Sequence, residues 1–433
     1  MARLTVGTTQ VLTGETIIPG DKSISHRSIM LGSIARGKTV IKHFLPSDDC
    51  LHTMQCFRQL GITIEYTPEQ VVVHGRGLLG LTESENVLDV GNSGTTIRLI
   101  SGILSGQPFS SILNGDESIR RRPMQRVTKP LQQMGARITG RQAANFAPLA
   151  IYGGDLQAIT YETPVASAQI KSGILLAGLY APGWTEVREP AQSRNHTELM
   201  LTGFQVPVEQ GNGWVRVKGQ QELQACPINV PGDISSAAFL LVAASIVPDG
   251  QLLLKNVGLN PSRTGIIEVL NAMGARIQIE NIRTSAGEQF GDISVESRPL
   301  QGVSIGGDLI PRLIDEIPIL AVAAACARGV TEIRDAAELK VKESNRIATV
   351  VAEFSKLGVD IVELPDGLRI NGQNALHGAV CESHGDHRIA LSLAIAGLVA
   401  KGETVINDAE CVAVSFPDFH QVLRKLGGEV VLS

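Results

Sequence analysis

A short phrase of apolar and polar positions recurs six times along the chain. In five copies a helical stretch ends in Leu or Met, then Gly, and a β-type run follows. The glycines of these copies stand at positions 61, 135, 274, 358 and 427, and Gln205 fills the remaining place. The copies lie roughly 70 residues apart, a period that indicates a repeated supersecondary unit.

Two further elements repeat in the same phase. The first element is a helical run rich in Ala, Gly and Leu, followed by a glycine and a strand; the glycine and the start of the strand lie within residues 35–40 in one copy and 328–331 in another. The second element is a strand that ends in glycine, as at residues 71–75. Each unit is therefore predicted to run helix, strand, helix, strand, strand. Only five closing strands follow the markers, so the N-terminal segment 4–12 is predicted to supply the sixth.

Matching Pro-Gly-Asp phrases at residues 19–21 and 231–233 mark two crossings of the chain. We predict an α/β protein of two lobes, each with three repeated units in an inside-out, barrel-like arrangement. The first lobe covers residues 20–231, and the second covers 1–19 plus 232–433, with one unit split between the chain ends. Lobes hinged by two crossings predict a ligand cleft between them.

Composition excludes several classes of protein. The 433 residues are 43% hydrophobic and 19% charged, which suits large cores and gives little sign of disorder. A net charge of -5 with 4% aromatic residues argues against a basic groove that stacks nucleic-acid bases. No run approaches the roughly 20 apolar residues of a membrane span, and the six cysteines show no CxxC spacing. We expect a soluble, reduced, cytoplasmic protein with no nucleic-acid or membrane partner.

Candidate chemistry lies where the first helix of each unit begins. Helix starts favour anions through free N–H groups and the helix dipole, and lysines and arginines add charge here. Such starts occur at residues 22–27, 91–98, 167–171, 233–236, 315–316 and 386–388, with further cations in turns at 118–123, 193–196 and 340–346. The pattern predicts a site for phosphate and carboxylate groups. For any single segment, ordinary helix capping with solvated charges is the alternative.

Three other motifs are weaker. Residues 75–80 read GxGxxG, but no long apolar helix follows and no acidic residue stands at the distance that dinucleotide binding requires. The sequence around Lys22 and Ser23 resembles the end of a P-loop without its spacing. His384 and His387 lack a matched run of metal ligands. We therefore predict no metal and no nucleotide cofactor.

Five spaced motifs together resemble the EPSP synthase (3-phosphoshikimate 1-carboxyvinyltransferase) family of enolpyruvyl transferases. They are PGDKSISHR at 19–27, GNSGTTIRL at 91–99, RPM at 122–124, VKESNR at 341–346 and GDHR at 385–388. The resemblance runs along essentially the whole chain. It implies two lobes of three repeated units that close over substrate, which agrees with the repeat count.

The resemblance implies a reaction. Family members transfer the enolpyruvyl group of phosphoenolpyruvate to the 5-hydroxyl of shikimate 3-phosphate and release phosphate, with no metal or organic cofactor. The chain is accordingly expected to bind two small-molecule substrates, to act as a monomer in the shikimate pathway of aromatic amino-acid synthesis, and to be a glyphosate target. Such chemistry needs a proton donor, a base and cations around the phosphates and carboxylates.

By motif position, the resemblance also assigns residues. Around shikimate 3-phosphate it places Lys22, Ser23, Arg27, Ser167, Ser193, Arg194, Asp315 and Lys342. Around phosphoenolpyruvate it places Lys22, Gly94, Arg122, Gln169, Arg346 and Arg388. Asn92, Thr95 and His387 belong to the same substrate-binding motifs. Asp315 resembles the base at the attacking hydroxyl, and Glu343 resembles a proton-transfer acid that Lys22 assists.

The chain departs from the family pattern at a few positions, and two rival functions stay open. Val414 stands where some members have lysine, Glu338 replaces an asparagine, His196 replaces a tyrosine, and Ser93 and Thr96 replace alanines. One rival is the sister enzyme that acts on UDP-N-acetylglucosamine, although the loop at 114–123 lacks that enzyme's usual cysteine. The other is a catalytically silent anion-binding protein on the same scaffold.

Overall fold

A computed structural model describes residues 2–373 and 375–433, and this part of the chain is a mixed α/β structure. Its helices are α1 (Lys22–Ile34), α2 (Asp48–Gln59), α3 (Gly94–Ser105), α4 (Glu117–Arg121), α5 (Gln125–Gln133), α6 (Arg141–Ala144), α7 (Ala168–Gly178), α8 (His196–Gly203), α9 (Ile234–Ile246), α10 (Gly265–Ala272), α11 (Ile310–Leu313), α12 (Ile317–Cys326), α13 (Arg346–Lys356), α14 (His387–Gly397) and α15 (Phe419–Lys425). Short 3-10 turns cover Gly307–Leu309, Ile314–Glu316, Ala337–Val341 and Ala409–Val414.

The strands of the same described ranges are mostly short. They are β1 (Leu4–Val6), β2 (Thr13–Ile17), β3 (Arg36–Lys42), β4 (Thr63–Tyr66), β5 (Gln70–Arg76), β6 (Leu88–Asp89), β7 (Ser110–Asn114), β8 (Arg137–Gly140), β9 (Phe146–Tyr152), β10 (Thr160–Glu162), β11 (Trp184–Arg188), β12 (Val208–Gly211), β13 (Trp214–Lys218), β14 (Ile228–Asn229), β15 (Gln251–Gly258), β16 (Arg276–Ser285), β17 (Glu288–Glu296), β18 (Ser304–Ile305), β19 (Val330–Ile333), β20 (Asp360–Leu364), β21 (Gly367–Asn371), β22 (Val380–Glu382), β23 (Thr404–Asn407) and β24 (Val430–Leu432).

These strands form six four-stranded sheets on one plan. The strand orders are β14-β3-β5-β4, β6-β7-β9-β8, β10-β11-β13-β12, β16-β17-β15-β2, β18-β19-β21-β20 and β22-β23-β1-β24. In each sheet a parallel pair, such as β14 with β3, continues into an antiparallel pair, such as β3 with β5. The sixfold repeat predicted from the sequence is therefore confirmed as a sixfold repeat of sheets.

One sheet combines strands from the two ends of the chain. Strand β1 lies between β23 and β24 and is antiparallel to both, with Leu4 opposite Ile406 and Leu432. The strand ends at Val6, well short of the predicted limit at Leu12. Residues 13–17 form β2 instead, which pairs parallel to β15 in another sheet.

Each sheet has one more strand than the sequence predicted. The extra strand is the parallel edge strand, and β6, β14 and β18 are only two residues long. So short a segment cannot show the alternation of apolar and polar residues on which a strand prediction depends.

The repeat marker has a conformational cause. Gly61, Gly135, Gly274, Gly358 and Gly427 all follow a helix end with φ between 84° and 104°. This left-handed region costs a residue with a side chain about 1–2 kcal/mol, which explains the preference for glycine. Gln205 adopts the same turn with φ of 65°, so the exception in the sequence keeps the conformation of the repeat.

The first helix of every unit is buried on nearly all sides. Every residue from Ile24 to Ile34 of α1 is buried, as are residues 317–325 of α12. Residues 317–325 of α12 are all apolar, as is typical of a helix in the interior of a protein, whereas α1 also buries His26 and Arg27. The central helices α1, α3, α7, α9, α12 and α14 thus form the cores, with sheets outside them, and the predicted fold class is confirmed.

The described chain divides into two compact units. One contains residues up to Pro19, Gly232–Arg283 and Gln289–Ser433, and the other contains Gly20–Pro231 with Thr284–Glu288. The sequence-based division assigned residues 284–288 to the lobe of residues 232–433. In the structure the Asn229 N–H donates to Ser285 Oγ at 2.9 Å, within the unit of residues 20–231. In the described ranges, no helix is long and apolar enough to cross a membrane.

Candidate functional site

The predicted site residues fall into two clusters, one in each unit. The first cluster surrounds the starts of α1, α3 and α7 and comprises Lys22, Ser23, Arg27, Asn92, Gly94, Thr95, Arg122, Ser167, Gln169, Ser193 and Arg194. The second cluster lies at the starts of α12, α13 and α14 and comprises Asp315, Lys342, Glu343, Arg346, His387 and Arg388.

The start of α3 brings three residues of the first cluster close together. Ser93 caps the helix by accepting from the Thr96 N–H at 3.0 Å. A Cβ on Gly94 would stand 3.1 Å from Arg122 Nη1, so the glycine lets the guanidinium approach the helix start. Arg122 Nη2 donates to Asn92 Oδ1 at 2.9 Å. Free N–H groups and a guanidinium at one helix start are suited to a phosphate or carboxylate.

Gln169 joins α7 to this helix start. Its Nε2 donates to Thr95 Oγ1 at 3.1 Å, and its Oε1 accepts from Arg98 Nη1 at 2.7 Å. Arg98 is outside the predicted site, although it lies within the GNSGTTIRL motif. Arg98 lies one helical turn after Gly94 in α3, on the same side of the helix. This spacing is the sequence signal that could have indicated Arg98 as the residue that orients Gln169.

Arg27 is buried where α1, α7 and α8 meet. Its Nε donates to Thr197 Oγ1 at 2.7 Å, its Nη2 to Ser172 Oγ at 2.8 Å, and its Nη1 to the Ser23 carbonyl at 3.0 Å. Burial lowers the pKa of Arg27 to about 10, so the side chain stays cationic at neutral pH. Lys22, at the first position of α1, forms an ion pair with Asp49.

The Ser193 turn rests on a buried charge cluster that the sequence analysis missed. Lys171 Nζ lies 2.8 Å from both Glu189 Oε2 and Glu198 Oε1 and donates to the Ser193 carbonyl at 3.3 Å. Ser193 Oγ donates to Glu189 Oε1 at 2.5 Å. Burial lowers the pKa of Lys171, but the two glutamates outweigh it and the net shift is upward. A lysine inside an otherwise apolar helix was the available signal.

The second cluster is organised by Arg346. Its side chain is 1% exposed, and its guanidinium binds three carboxylates. Nη1 donates to Asp315 Oδ1 at 3.0 Å, Nη2 to Glu343 Oε2 at 2.6 Å, and Nε to Asp386 Oδ2 at 2.8 Å. Burial lowers the pKa of Arg346, but Asp386, Glu343 and Asp315 outweigh it and raise the pKa above its usual range. One guanidinium therefore holds both predicted proton-transfer residues.

Two further cations complete the second cluster. Lys342 Nζ lies 3.4 Å from Asp315 Oδ1. Arg388 lies in the first turn of α14, where its N–H donates to the helix cap Asp386 at 3.0 Å. Its Nη1 lies 3.5 Å from Glu316 Oε1. Burial raises the pKa of Asp386, but Arg346 outweighs it and the net shift is downward.

A buried polar chain supports the first cluster from behind. His26 Nδ1 lies 2.7 Å from Thr53 Oγ1, which lies 2.7 Å from Thr96 Oγ1. Thr96 Oγ1 in turn donates to Ser93 Oγ at 2.6 Å. Burial lowers the pKa of His26 to about 3, so the ring is neutral in the folded protein. This series of hydrogen bonds links α1 and α2 to Ser93, the cap of α3.

His384, one of the residues considered for a metal, has a structural partner. Its Nε2 lies 2.8 Å from Glu353 Oε1. Across residues 2–373 and 375–433, no group of three or more histidine, cysteine, aspartate or glutamate side chains is arranged to hold a metal ion.

Known structures identify the class to which this fold belongs, the enolpyruvyl transferases. An EPSP synthase from Acinetobacter baumannii matches with a TM-score of 0.91 at 43% identity, and all of both chains is covered. The enolpyruvyl transferase NikO from Streptomyces tendae shares the fold, with a TM-score of 0.83 at 18% identity over 100% of this chain and 99% of the other.

Sequence comparison narrows the class to one family. The EPSP synthase (3-phosphoshikimate 1-carboxyvinyltransferase) family matches residues 6–423. The chain is 57% identical over 425 residues to the 3-phosphoshikimate 1-carboxyvinyltransferase of Pelotomaculum thermopropionicum, covering 98% of each. It is 58% identical over 415 residues to that of Bacillus cereus, covering 96% of this chain and 97% of the relative. The chain belongs to the EPSP synthase family.

The buried His26 predicts a loss of stability in mild acid. Between about pH 6.5 and 3 the unfolded chain binds a proton at this histidine and the folded protein does not, so the free energy of unfolding falls as pH falls. One such group changes the free energy of unfolding by up to about 1.4 kcal/mol per pH unit. His26→Gln should flatten the decline of the melting temperature from pH 6.5 to 5. The exposed His377→Gln is the control, and equal declines in wild type and His26→Gln would contradict the prediction.

Proposed function

We propose that residues of both clusters act on the two substrates of enolpyruvyl transfer. The enzyme transfers the enolpyruvyl group of phosphoenolpyruvate to the 5-hydroxyl of shikimate 3-phosphate and releases phosphate, a step of the shikimate pathway. C3 of phosphoenolpyruvate takes a proton while the hydroxyl, which gives its own proton to a base, attacks C2. The tetrahedral intermediate then loses a proton from C3 and expels phosphate, which restores the double bond between C2 and C3. The reaction therefore needs one base, one acid and fixed cations around the anionic groups.

The start of α3 is proposed to bind phosphoenolpyruvate through Asn92, Gly94, Thr95, Arg122 and Gln169. The close approach of Arg122 to Gly94 and the bond between Gln169 and Thr95 support this assignment. Arg388 and His387 are proposed to add charge and hydrogen bonds from the first turn of α14. The phosphoenolpyruvate contact that the family resemblance implies for Arg346 stays a prediction, since its guanidinium already binds three carboxylates.

Shikimate 3-phosphate is proposed to be bound by residues of both clusters. They are Lys22, Ser23, Arg27, Ser167, Ser193, Arg194, Asp315 and Lys342. The buried network around Lys171 supports the role of Ser193 because it fixes the backbone of that turn. Arg27 donates three hydrogen bonds to protein groups, which fits a cation that is held in one orientation before the ligand arrives.

Proton transfer is proposed to use Asp315 as the base for the 5-hydroxyl and Glu343 as the acid at C3, with Lys22 assisting. One observation carries this proposal: both carboxylates are bound to the same guanidinium, that of Arg346. A shared fixed cation sets the positions of both groups, which is the preorganisation that general acid–base catalysis requires. The monomeric state, the cytoplasmic location and glyphosate binding stay predictions.

Acceptor choice is the first test of this function. Purified enzyme should release phosphate from phosphoenolpyruvate when shikimate 3-phosphate is added, and the rate should be unchanged by EDTA. UDP-N-acetylglucosamine should support no release. Turnover with the nucleotide sugar instead, or no turnover with either acceptor, would contradict the function.

A pair of variants should separate substrate binding from proton transfer. Arg122→Ala removes a cation and should raise the KM for phosphoenolpyruvate, by an amount set by a charge-assisted contact worth about 1.5–3 kcal/mol. Glu343→Gln keeps size and hydrogen bonding but cannot exchange a proton, so kcat should fall about 10²–10⁴-fold. Steady-state kinetics and melting temperature are measured on the same preparations.

The control for Glu343→Gln is Glu332→Gln, which alters a half-buried carboxylate that is paired with Arg334 outside both clusters. It should leave kcat unchanged. If Glu343 is only an ion-pair partner of Arg346, Glu343→Gln will lower the melting temperature and keep kcat within about threefold of wild type. A loss that small, under roughly 0.7 kcal/mol in activation free energy, would remove Glu343 from the mechanism.

A further inference from the structure

The central helices of the unit that contains residues 289–433 each have an acidic residue at the N-cap. These residues are Asp233 for α9, Glu316 for α12 and Asp386 for α14. Asp233 accepts the N–H of Ser235 at 2.9 Å, and Asp386 accepts the N–H of Arg388 at 3.0 Å. Both bonds go to the second residue of the helix, the usual use of an aspartate cap.

Glu316 cannot make the equivalent bond. The second residue of α12 is Pro318, which has no N–H, and the Glu316 side chain makes no capping bond to its own helix. The carboxylate therefore reaches the two neighbouring helix starts. Ser235 Oγ, in the first turn of α9, donates to Glu316 Oε1. Arg388 Nη1, in the first turn of α14, lies 3.5 Å from the same oxygen.

Glu316 is the carboxylate that faces the Arg388 guanidinium in the described ranges of the chain. The Glu316 side chain is 0% exposed and that of Arg388 is 11% exposed. Ser235 Oγ also accepts from Arg263 Nη2 at 2.7 Å, and Arg263 is itself buried. Glu316 is thus held on one side by α9 and presents its charge to Arg388 on the other.

This arrangement is a poor choice for stability alone. Within the described residues, Glu316 Oε2 is buried and has no hydrogen-bond partner. Burial of an incompletely satisfied carboxylate is costly, and well-packed apolar residues often stabilise such a position as well or better. A role in orienting Arg388 accounts for a charge at this position.

We propose that Glu316 is a positioning residue, which fixes the Arg388 guanidinium in the orientation that binds phosphoenolpyruvate. The inference rests on the proposed function, because it adds to the role of Arg388 in that site. Glu316 touches neither substrate in this account and acts through its ion pair. Its removal should therefore weaken the binding of phosphoenolpyruvate more than it slows the chemical step.

The test compares the two Michaelis constants in Glu316→Gln. The glutamine keeps the shape and can still accept from Ser235, but it loses the charge that holds Arg388. We expect the KM for phosphoenolpyruvate to rise about fivefold to fiftyfold, with kcat and the KM for shikimate 3-phosphate within about threefold of wild type. In an Arg388→Ala background the same substitution should leave the phosphoenolpyruvate KM unchanged, because the residue it orients is gone.

Glu353→Gln is the matched control, since Glu353 is also a buried carboxylate of this unit but binds Lys356 and His384. It should lower the melting temperature without changing the phosphoenolpyruvate KM. If Glu316→Gln does not fold, Glu316→Asp keeps the charge, draws it away from Arg388 and should raise the same KM.

Three outcomes would overturn the inference. The first is an unchanged KM for phosphoenolpyruvate in the folded Glu316 variant. The second is a rise of this KM in the Arg388→Ala background that equals the rise caused by Glu316→Gln alone. A wild-type enzyme that fails to transfer the enolpyruvyl group would overturn the proposed function, and the inference with it. Active wild type with an unaffected Glu316 variant overturns the inference alone.

Discussion

The buried guanidinium of Arg346 is the group on which the proposed chemistry of the second cluster depends. It collects the carboxylates of Asp315, Glu343 and Asp386, which come from three different segments of the chain. The buried guanidinium is tolerated only because its N–H groups donate to carboxylate oxygens. Loss of one of these carboxylates would leave part of the buried charge uncompensated. The same bonds fix the two carboxylates proposed as base and acid, Asp315 and Glu343, relative to each other.

Asp386 connects this ion-pair network to the fold. It is fully buried, it binds Arg346, and it caps α14 by accepting the Arg388 N–H. Because the Asp386 side chain both caps the start of α14 and binds the guanidinium of Arg346, the position of Arg388 depends on the position of Arg346. The cap of α3 in the first cluster is neutral, since Ser93 Oγ accepts from both the N–H and the Oγ1 of Thr96. In the second cluster the cap of α14 thus also binds the side chain of Arg346, a proposed site residue.

The sequence predicts the repeat well because its signals are local. A left-handed turn after a helix favours glycine, and five such glycines at one spacing reveal the sixfold plan. Gln205 shows the limit of this signal, since it adopts the same turn with a side chain. The two-residue edge strands were missed because they have no periodicity, and their pairing is set by the neighbouring strand.

The site is predicted less completely than the fold because its partners are distant in sequence. The motifs identify Arg122, Gln169, Arg346 and Arg388, but nothing in them indicates that Arg346 binds three carboxylates. Lys171 with Glu189 and Glu198 was missed for the same reason. Lys171 lies on α7, Glu189 follows β11 and Glu198 lies on α8, so the three residues meet only in the folded structure. Burial and pairing of charges depend on tertiary structure, which a single motif does not contain.

The central claim is that the forked guanidinium of Arg346, and not merely its charge, positions the proton-transfer groups. Arg346→Lys tests it most directly, because a lysine keeps the charge but cannot hold three carboxylates with planar, directed N–H groups. Steady-state kcat and melting temperature are measured for this variant and for wild type. The account predicts that kcat falls at least about tenfold and that the melting temperature falls as well. A folded Arg346→Lys enzyme with the kcat and melting temperature of wild type would contradict it.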